Sequence, residues 1–241
     1  FVSNALNGLP SVKYSGTDGE YHSFTNITNV RTVFWVLKKN SGYTSLLGDN
    51  NQYHFHPDGS KFWNTNHTSN NVKNGAFAVN GTTTVGHTAN IPNTWNVLSL
   101  RTTGDVEASN FFNDRNIAGR YINGELAELL IYNTAFSDDD IRKMEGYLAH
   151  KWGLQGDLSV GHAYKASPPS PWNPTDLSPT IWLDANDTGY LASKDHYVKT
   201  WKDLSGNGRD ATAANFSSGP VVMPNQLNGK PLVRFNFGET L

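Results

Sequence analysis

Two histidines in this chain have the spacing of metal ligands. His54 and His56 flank Phe55, and alternate residues of a strand point to the same side, so both imidazoles could bind zinc. No third soft ligand follows at a suitable spacing, and the chain contains no cysteine. The pattern therefore favours a polar, partly exposed strand face over a zinc site.

Oxygen ligands suited to calcium occur in several predicted loops. Calcium takes carboxylate and amide oxygens, and the candidate ligands are Asp49, Asn51, Asp58 and Asp203. Turns rich in Asp and Asn also stabilise themselves through hydrogen bonds from side chain to backbone. Calcium is therefore a candidate cofactor, and a purely structural role for these residues is the alternative.

Aromatic rings and amides are concentrated in the loop-rich stretch 43–71. Sugar rings stack on flat aromatic faces, and their hydroxyls exchange hydrogen bonds with amides and carboxylates. The candidate ligand-binding residues are Tyr53, Trp63, Asn64, Asn66 and His67. The ring of Trp63 could equally close the hydrophobic core. Four other tryptophans lie in strand patterns and are predicted to be core residues: Trp35, Trp95, Trp182 and Trp201.

Composition limits the remaining function classes. The chain has 241 residues with a formal charge of -2, and it contains no basic run that could neutralise a row of phosphates, so nucleic acid is a poor candidate partner. The longest apolar run covers only residues 33–37, far short of the ~18 residues that cross a bilayer. We therefore expect neither nucleic-acid binding nor membrane insertion.

Strand patterns dominate the elements that must position these residues. Residues 32–37 are apolar on both faces, and residues 76–79 and 82–85 flank Asn80-Gly81, a strong hairpin signal. Further strands are predicted at 95–100, 125–132, 180–183 and 197–201. Their spacing, with Gly, Asn and Pro between them, predicts an all-β sandwich or jelly roll.

One amphipathic helix interrupts the strands. Ser137 is a suitable N-cap, and the three aspartates that follow it favour the positive end of the helix dipole. Apolar residues then recur on one face, and Gly153 provides the stop. The predicted apolar face consists of Ile141, Met144, Leu148 and Trp152.

A short sequence occurs near both ends of the chain. Residues 6–14 (LNGLPSVKY) reappear as residues 227–235 (LNGKPLVRF), an offset of 221 residues. In each copy a turn precedes an alternating strand. The match predicts two equivalent strands, one at each end.

Two longer segments resemble a known family. Residues 124–133 (GELAELLIYN) and 137–154 (SDDDIRKMEGYLAHKWGL) resemble the C-terminal pattern of bacterial laminin G-like domains, within the concanavalin A-like lectin/glucanase superfamily. Residues 177–185 (LSPTIWLDA) and 201–208 (WKDLSGNG) look like the opening of the same kind of domain. The resemblance implies a concanavalin A-like jelly-roll β-sandwich with one short helix.

The closing pattern precedes the opening one, which predicts an unusual domain order. Residues 1–165 would form a sandwich body without its opening strands, 166–176 a Pro-rich connection, and 177–241 the opening strands. These strands could complete the same body, as in a circular permutation, or a neighbouring one, as in a tandem array. Val12 and Val233 would compete for one place in a single sandwich, whereas head-to-tail donation gives each copy a place.

Catalysis receives little support from the residues. Retaining glucanases of this superfamily place an E-x-D-x-x-E pattern on one strand, because nucleophile and acid must lie about 5 Å apart. This chain offers Glu125 and Glu128, which a regular strand would point to opposite faces. We expect both to be structural.

The sequence thus predicts a non-catalytic, extracellular or cell-surface module for adhesion or carbohydrate binding, whose partner is a glycan or a cell-surface or matrix component. A different class is the alternative: a subunit of a filament or surface layer, assembled from copies of itself head-to-tail by strand donation. A glucanase-type hydrolase is the weakest of the three predictions.

Overall fold

A computed structural model describes most of the chain. The residues it describes are 2–16, 21–43, 45–49, 52–113, 115, 117, 120, 122–170, 174–184, 191–194, 197–212, 221–227 and 230–234, with backbone alone for the strand residues within 191–199 and 221–234.

The described residues form an antiparallel, mostly β structure with one substantial helix. The strands are β1 (Val2–Leu6), β2 (Leu9–Ser15), β3 (His22–Gly42), β4 (Ala76–Val79), β5 (Thr82–Thr83), β6 (Trp95–Phe111), β7 (Ile122–Tyr132), β8 (Ile181–Asp184), β9 (Leu191–Lys194), β10 (Tyr197–Trp201), β11 (Ala211–Thr212), β12 (Val221–Leu227) and β13 (Lys230–Arg234). The helices are α1 (Asn70–Lys73) and α2 (Asp138–Trp152), with single 3-10 turns at Gln155–Asp157 and Pro174–Leu177. The all-β sandwich with a short helix that the sequence predicts is confirmed.

Strand β3 lies at the centre of the sheet. It pairs with β6 on one side and with β7 on the other, and β4 continues the sheet beyond β6. The predicted central strand at 32–37 is therefore confirmed, within a longer strand. Irregular register between Ser23 and Thr32 breaks the pairing of β3 with β6. Such bulges bend strands and let them pass from one layer of a sandwich to the other.

The two faces of the central sheet have separate cores. Val33, Trp35 and Leu37 of β3 belong to the larger core inside the sandwich, which also includes Phe62 and Trp63. The alternate residues Phe34 and Val36 belong to a smaller core beneath helix α2. Both faces of the strand are apolar because both are covered.

Helix α2 confirms its predicted caps and face. The hydroxyl of Ser137 accepts a hydrogen bond from the backbone N–H of Asp140, and Gly153 ends the helix in the left-handed conformation with φ of 73°. The side chains of Met144, Leu148 and Trp152 are fully buried. No helix among the described residues is long and apolar enough to span a membrane.

The C-terminal segment lies on the body of the same chain. Strand β8 pairs with β7 through Glu128 to Ile131, and β11 pairs with β3 at Ser23. Strand β2 pairs with the first part of the same edge of β7, through Asn123 to Leu126. One edge of β7 is thus shared, end to end, by strands from opposite ends of the chain.

The repeated sequence forms two hairpins of the same construction. In the first, Val2 pairs with Ser11 and Leu6 with Leu9, with an irregularity between the two pairs. In the second, the pairs Met223–Leu232 and Leu227–Lys230 enclose an irregularity at the same place. Each of these residues lies 221 positions after its counterpart.

Candidate functional site

An exposed aromatic ring marks the predicted binding stretch. Tyr53 is 45% exposed, and its ring lies 5.5 Å from that of His67 at an interplanar angle of 30°. The guanidinium of Arg115 lies 3.8 Å from the centre of the Tyr53 ring. The neighbouring Asn66 is exposed. We call these four residues, Tyr53, Asn66, His67 and Arg115, the rim patch.

Hydrogen bonds within the loop hold the rim patch in place. The side-chain carbonyl of Asn64 accepts hydrogen bonds from the backbone N–H groups of Asn66 and His67, both at 2.9 Å. The hydroxyl of Thr68 accepts from the backbone N–H of Asn64 at 2.9 Å and donates to the carbonyl of His56 at 2.5 Å. Asn64 is a predicted ligand contact, but its side-chain oxygen already accepts the hydrogen bonds that position Asn66 and His67.

A buried histidine lies under the rim patch. The His56 ring is 5.4 Å from that of Tyr53 and 5.6 Å from that of His67, and its Nε2 lies 3.2 Å from the hydroxyl of Tyr43. The strand predicted through His54 and His56 is wrong, because His54 and Phe55 form a turn. The histidines therefore do not share a strand face. His56 instead packs beneath the rim patch, against Tyr53 and His67.

Trp63 requires a correction. This predicted ligand-binding residue has no exposed surface and packs against Phe55, Phe62 and Phe77. Its backbone N–H donates to the carbonyl of Gly86 at 3.1 Å, and a Cβ at Gly86 would collide with the indole. The loop closes over the indole because its large apolar area is more stable away from water. Trp63 is a core residue and offers no face to a ligand.

The predicted calcium ligands lie in different surroundings. Asp49 is buried and accepts a hydrogen bond from the backbone N–H of Gln52 at 3.1 Å, whereas Asp58 is exposed in a tight turn with Lys61. Asn51 lies outside the described residues. Among the residues that the structure describes, no three His, Asp or Glu side chains converge as metal ligands. The metal site stays a prediction.

Asp203 is held by a dense set of hydrogen bonds. Its carboxylate accepts from the backbone N–H groups of Trp182, Ser205 and Arg209 at 2.9–3.0 Å, and from the hydroxyl of Ser205 at 2.6 Å. A carboxylate so well supplied with donors is typical of a structural turn. The hydrogen bond from Trp182 also connects β8 to the turn that follows β10.

The two glutamates of β7 require a second correction, because they lie on the same face. Val36 pairs with Glu128 but Leu37 pairs with Leu126, so Ala127 is an extra residue in β7. Leu126 and Leu129, three positions apart, consequently both face the sandwich core. The bulge reverses the alternation and brings Glu125 and Glu128 to the opposite face, where Glu128 lies beneath α2.

Each of these glutamates has its own partners. Glu125 accepts a hydrogen bond from the hydroxyl of Ser11 at 2.7 Å and lies 3.8 Å from the ammonium of Lys38. Glu128 is fully buried and accepts from the indole N–H groups of Trp152 at 2.6 Å and Trp182 at 2.8 Å. Both carboxylates are engaged, which argues against their use as a catalytic pair.

Lys151 connects Glu128 to the C-terminal segment. Its ammonium lies 3.0 Å from Glu128 and 2.7 Å from Asp184 of β8. Burial raises the pKa of Glu128, and Asp184 adds to this rise while Lys151 opposes it. Burial lowers the pKa of Lys151, but Glu128 and Asp184 raise it more, so Lys151 stays charged.

A cavity of about 260 Å³ lies between the β4–β5 hairpin and the start of α2. Its charged groups pair with one another or with neighbours: Arg101 lies 2.8 Å from Asp138, and Arg142 lies 2.9 Å from Asp139. The buried Glu145 at its wall accepts a hydrogen bond from Ser99 at 2.6 Å and lies 3.1 Å from the Nε2 of His162. The cavity is therefore polar with compensated charge.

Comparison with known protein families, curated proteins and solved structures finds no match to this chain. The rim patch and the Glu128–Lys151–Asp184 cluster consequently stand on their geometry alone. Sequence reasoning missed Arg115 in the first, where it considered His56 only as a zinc ligand, and it missed Lys151 and Asp184 in the second. The local sequence of Arg115, Lys151 and Asp184 does not indicate these contacts, because their partners lie far away along the chain. His56 contacts Tyr53 and His67 within its own loop.

Proposed function

We propose that this chain is a non-catalytic, laminin G-like module that binds carbohydrate or mediates adhesion outside the cell or at its surface. The observation that carries this proposal is the exposed Tyr53 ring, held beside His67, Asn66 and Arg115 in a loop ordered by its own hydrogen bonds. A preordered loop loses less conformational entropy when a ligand binds.

The chemistry of the rim patch suits a sugar. The apolar face of a pyranose would stack on the exposed part of the Tyr53 ring. Its hydroxyls would exchange hydrogen bonds with the amide of Asn66 and the imidazole of His67, both of which are exposed. Calcium, if it is a cofactor, would bind near this rim through Asp49 or Asp58.

Binding to a panel of immobilised glycans tests this proposal. We expect Tyr53→Ala to weaken the affinity for any glycan that binds by at least about tenfold, the equivalent of ~1.4 kcal/mol of lost stacking. Tyr53→Phe keeps the ring and is expected to retain most of the affinity.

The matched control is Val160→Ala, which truncates another exposed apolar side chain, 96% exposed, outside the rim patch. We expect no change in affinity for this variant. Wild-type protein that binds no glycan, or equal affinities for wild type and Tyr53→Ala, would contradict the proposal. Repeating the assay with a calcium chelator tests the cofactor.

A second candidate function is head-to-tail assembly by strand donation into a filament or surface layer. The hairpin β12–β13 reproduces the register of the hairpin β1–β2. In the hairpin β1–β2, the second strand, β2, pairs with β7. Among the described strands, β13 pairs with β12 alone. Among the strands that the structure describes there is no second β7 for this hairpin, which favours a neighbouring copy as its partner, where it would replace that copy's own β2.

Cross-linking between β3 and β11 tests donation of the C-terminal segment. Ser23 and Thr212 are exposed cross-strand partners, at a spacing that a disulfide can bridge. The chain has no cysteine of its own that could compete. We expect Ser23→Cys with Thr212→Cys to cross-link within one chain in dilute solution and between chains as the concentration rises. The measurement is a non-reducing gel.

The control pair, Ser23→Cys with Val160→Cys, joins residues that are not cross-strand partners, and we expect little cross-linking within the chain. Cross-links confined to single chains at every concentration would count against assembly by donation.

A further inference from the structure

The edge of β7 that carries β8 does more than supply backbone hydrogen bonds. Any extended segment could pair with the backbone of Glu128 to Ile131, as β8 does. Recognition of one particular segment requires side chains that read its sequence. Side chains beside this edge form specific contacts with the side chains at two positions of β8.

The first position is Trp182. Its indole N–H donates to Oε1 of Glu128 at 2.8 Å, while the indole of Trp152 donates to Oε2 at 2.6 Å. Glu128 has no exposed side-chain surface. Without the indole of Trp182, one oxygen of a buried carboxylate would lose this donor, which is unfavourable in a site that water does not reach.

The second position is Asp184. Its carboxylate lies 2.7 Å from the ammonium of Lys151, and the two side chains are 7% and 14% exposed. A neutral or basic residue at this position would leave Lys151 with Glu128 as its one remaining carboxylate partner here. The edge therefore selects a segment with tryptophan and aspartate two positions apart. We call Glu128, Lys151 and Trp152, together with this edge of β7, the β8 slot.

Backbone contacts on both sides keep the segment in register. The backbone N–H of Thr180 donates to the carbonyl of Ile131 at 2.7 Å, and the hydroxyl of Thr180 accepts from the backbone N–H of Asn133 at 2.9 Å. On its other side, the backbone N–H of Leu204 donates to the carbonyl of Trp182 at 2.8 Å. The strand and the Asp203 turn therefore dock together as one unit.

The connection that leads to this unit is long and rich in proline. Residues 166–176 contain Pro168, Pro169, Pro171 and Pro174, and the 3-10 turn Pro174–Leu177 begins at the last of these prolines. In an exchange between copies, this connection would have to carry the unit to a neighbouring body instead of its own. Exchange of an identical element between copies leaves every contact of the slot intact, so it costs little once the unit is released.

We infer that the β8 slot is a sequence-specific recognition site for an extended Trp-x-Asp segment, and that a second copy of this chain supplies Ile181–Asp184 to it in trans. This inference rests on the second candidate function, head-to-tail assembly, and assigns that assembly its contact. The slot is filled in cis by the chain's own segment and in trans by the same segment of a neighbour.

A charge exchange between two variants tests this inference. Lys151→Glu places a third carboxylate beside Glu128 and Asp184, and Asp184→Lys places a second ammonium beside Lys151, so each variant alone mismatches its own slot. In an equimolar mixture, each slot that takes the segment of the other variant regains opposite charges. We expect native mass spectrometry to show a 1:1 complex of the two variants, absent when either is examined alone.

The matched control carries both substitutions in one chain. Lys151→Glu with Asp184→Lys restores opposite charges in cis, and we expect it to behave like the wild type and to mix poorly with the single variants. The two single variants are mixed in denaturant and refolded together, so that neither has to fold by itself. A mixture that yields separate chains, without the 1:1 complex, overturns the inference.

Exchange between wild-type chains supplies a measurement that needs no disruptive substitution. Isotopically labelled and unlabelled wild-type protein are mixed, and the appearance of mixed oligomers is followed with time. Trp182→Phe removes the indole N–H that Glu128 accepts and keeps the charges, and we expect it to speed exchange at least severalfold.

The outcomes separate the inference from the function on which it rests. If wild-type chains assemble but neither the charge exchange nor Trp182→Phe alters the assembly, the copies meet through another surface, and the inference fails while assembly stands. If wild-type chains do not assemble and the charge-exchanged variants do not combine, both fail.

Discussion

His22 shows how one side chain can make stability depend on pH. It is buried, its Nδ1 lies 2.8 Å from the hydroxyl of Tyr14, and its ring stacks on that of Phe111 at 4.9 Å. Burial lowers the pKa of His22 from 6.5 to about 3. The imidazole is therefore neutral in the folded protein at a pH where the unfolded chain has already bound a proton.

Acidification is expected to destabilise the fold through this residue. Below pH 6.5 the imidazole of His22 binds a proton in the unfolded chain, whereas in the folded protein it stays neutral down to about pH 3. The free energy of unfolding therefore falls as the pH falls through this range. From pH 7 to pH 5 the loss from His22 amounts to about 2 kcal/mol. Urea unfolding at both pH values should show a smaller loss for His22→Gln than for wild type. Equal losses in the two proteins would contradict this assignment.

Helix α2 joins three parts of the molecule at the scale of elements. Its start contributes to the polar cavity through Asp138, its middle bonds to β6 through Glu145 and Ser99, and its end meets β7 and β8 through Lys151. A substitution that frays the helix should therefore weaken the contacts of all three parts. The N-cap is the most accessible place to introduce one.

Removal of the N-cap should weaken the fold measurably. The hydroxyl of Ser137 accepts a hydrogen bond from the backbone N–H of Asp140 at 3.1 Å, and Ser137→Ala leaves this N–H without that partner. We expect a loss of about 1 kcal/mol in the free energy of unfolding, measured by urea denaturation. Ser137→Thr keeps the hydroxyl and is expected to lose clearly less. An alanine variant as stable as the threonine variant would contradict a capping role.

At the scale of the whole molecule, the sandwich closes with strands that are distant in sequence. Strands β2 and β8 share one edge of β7, although more than 160 residues separate them. Ile181 and Leu183 of β8 and Trp201 of β10 complete the core that β3 and β6 begin. Without these side chains, apolar surface on the body would be open to water or to a neighbouring chain.

Local patterns predicted several elements correctly. Asn80 and Gly81 adopt φ of 51° and 72°, as a tight hairpin turn requires, although the second strand is shorter than expected. The cap, face and stop of α2 follow from residues adjacent to one another. In each case the physical cause acts within a few residues.

Within the candidate site, the sequence indicated only the exposure of residues whose position has a local cause. The stretch 43–71 does hold an exposed tyrosine beside an exposed histidine, because loops rich in polar residues stay at the surface. Trp63 and Phe55 have sequence surroundings similar to those of Tyr53. Trp63 packs against Phe77 and Gly86 from elsewhere in the chain, and Phe55 packs against Trp63. The position of Arg115 over Tyr53 depends likewise on how distant segments meet.

The sequence by itself determined the all-β class, the capped helix and the repeated hairpin, because turn geometry, capping and side-chain periodicity are properties of neighbouring residues. Only the tertiary structure decided that Glu125 and Glu128 share a face, that Trp63 is buried, and that Glu128 and Lys151 meet Trp182 and Asp184. One extra residue in a strand reverses which face its side chains occupy. Burial and charge pairing depend on contacts between segments far apart in the chain, and packing establishes those contacts.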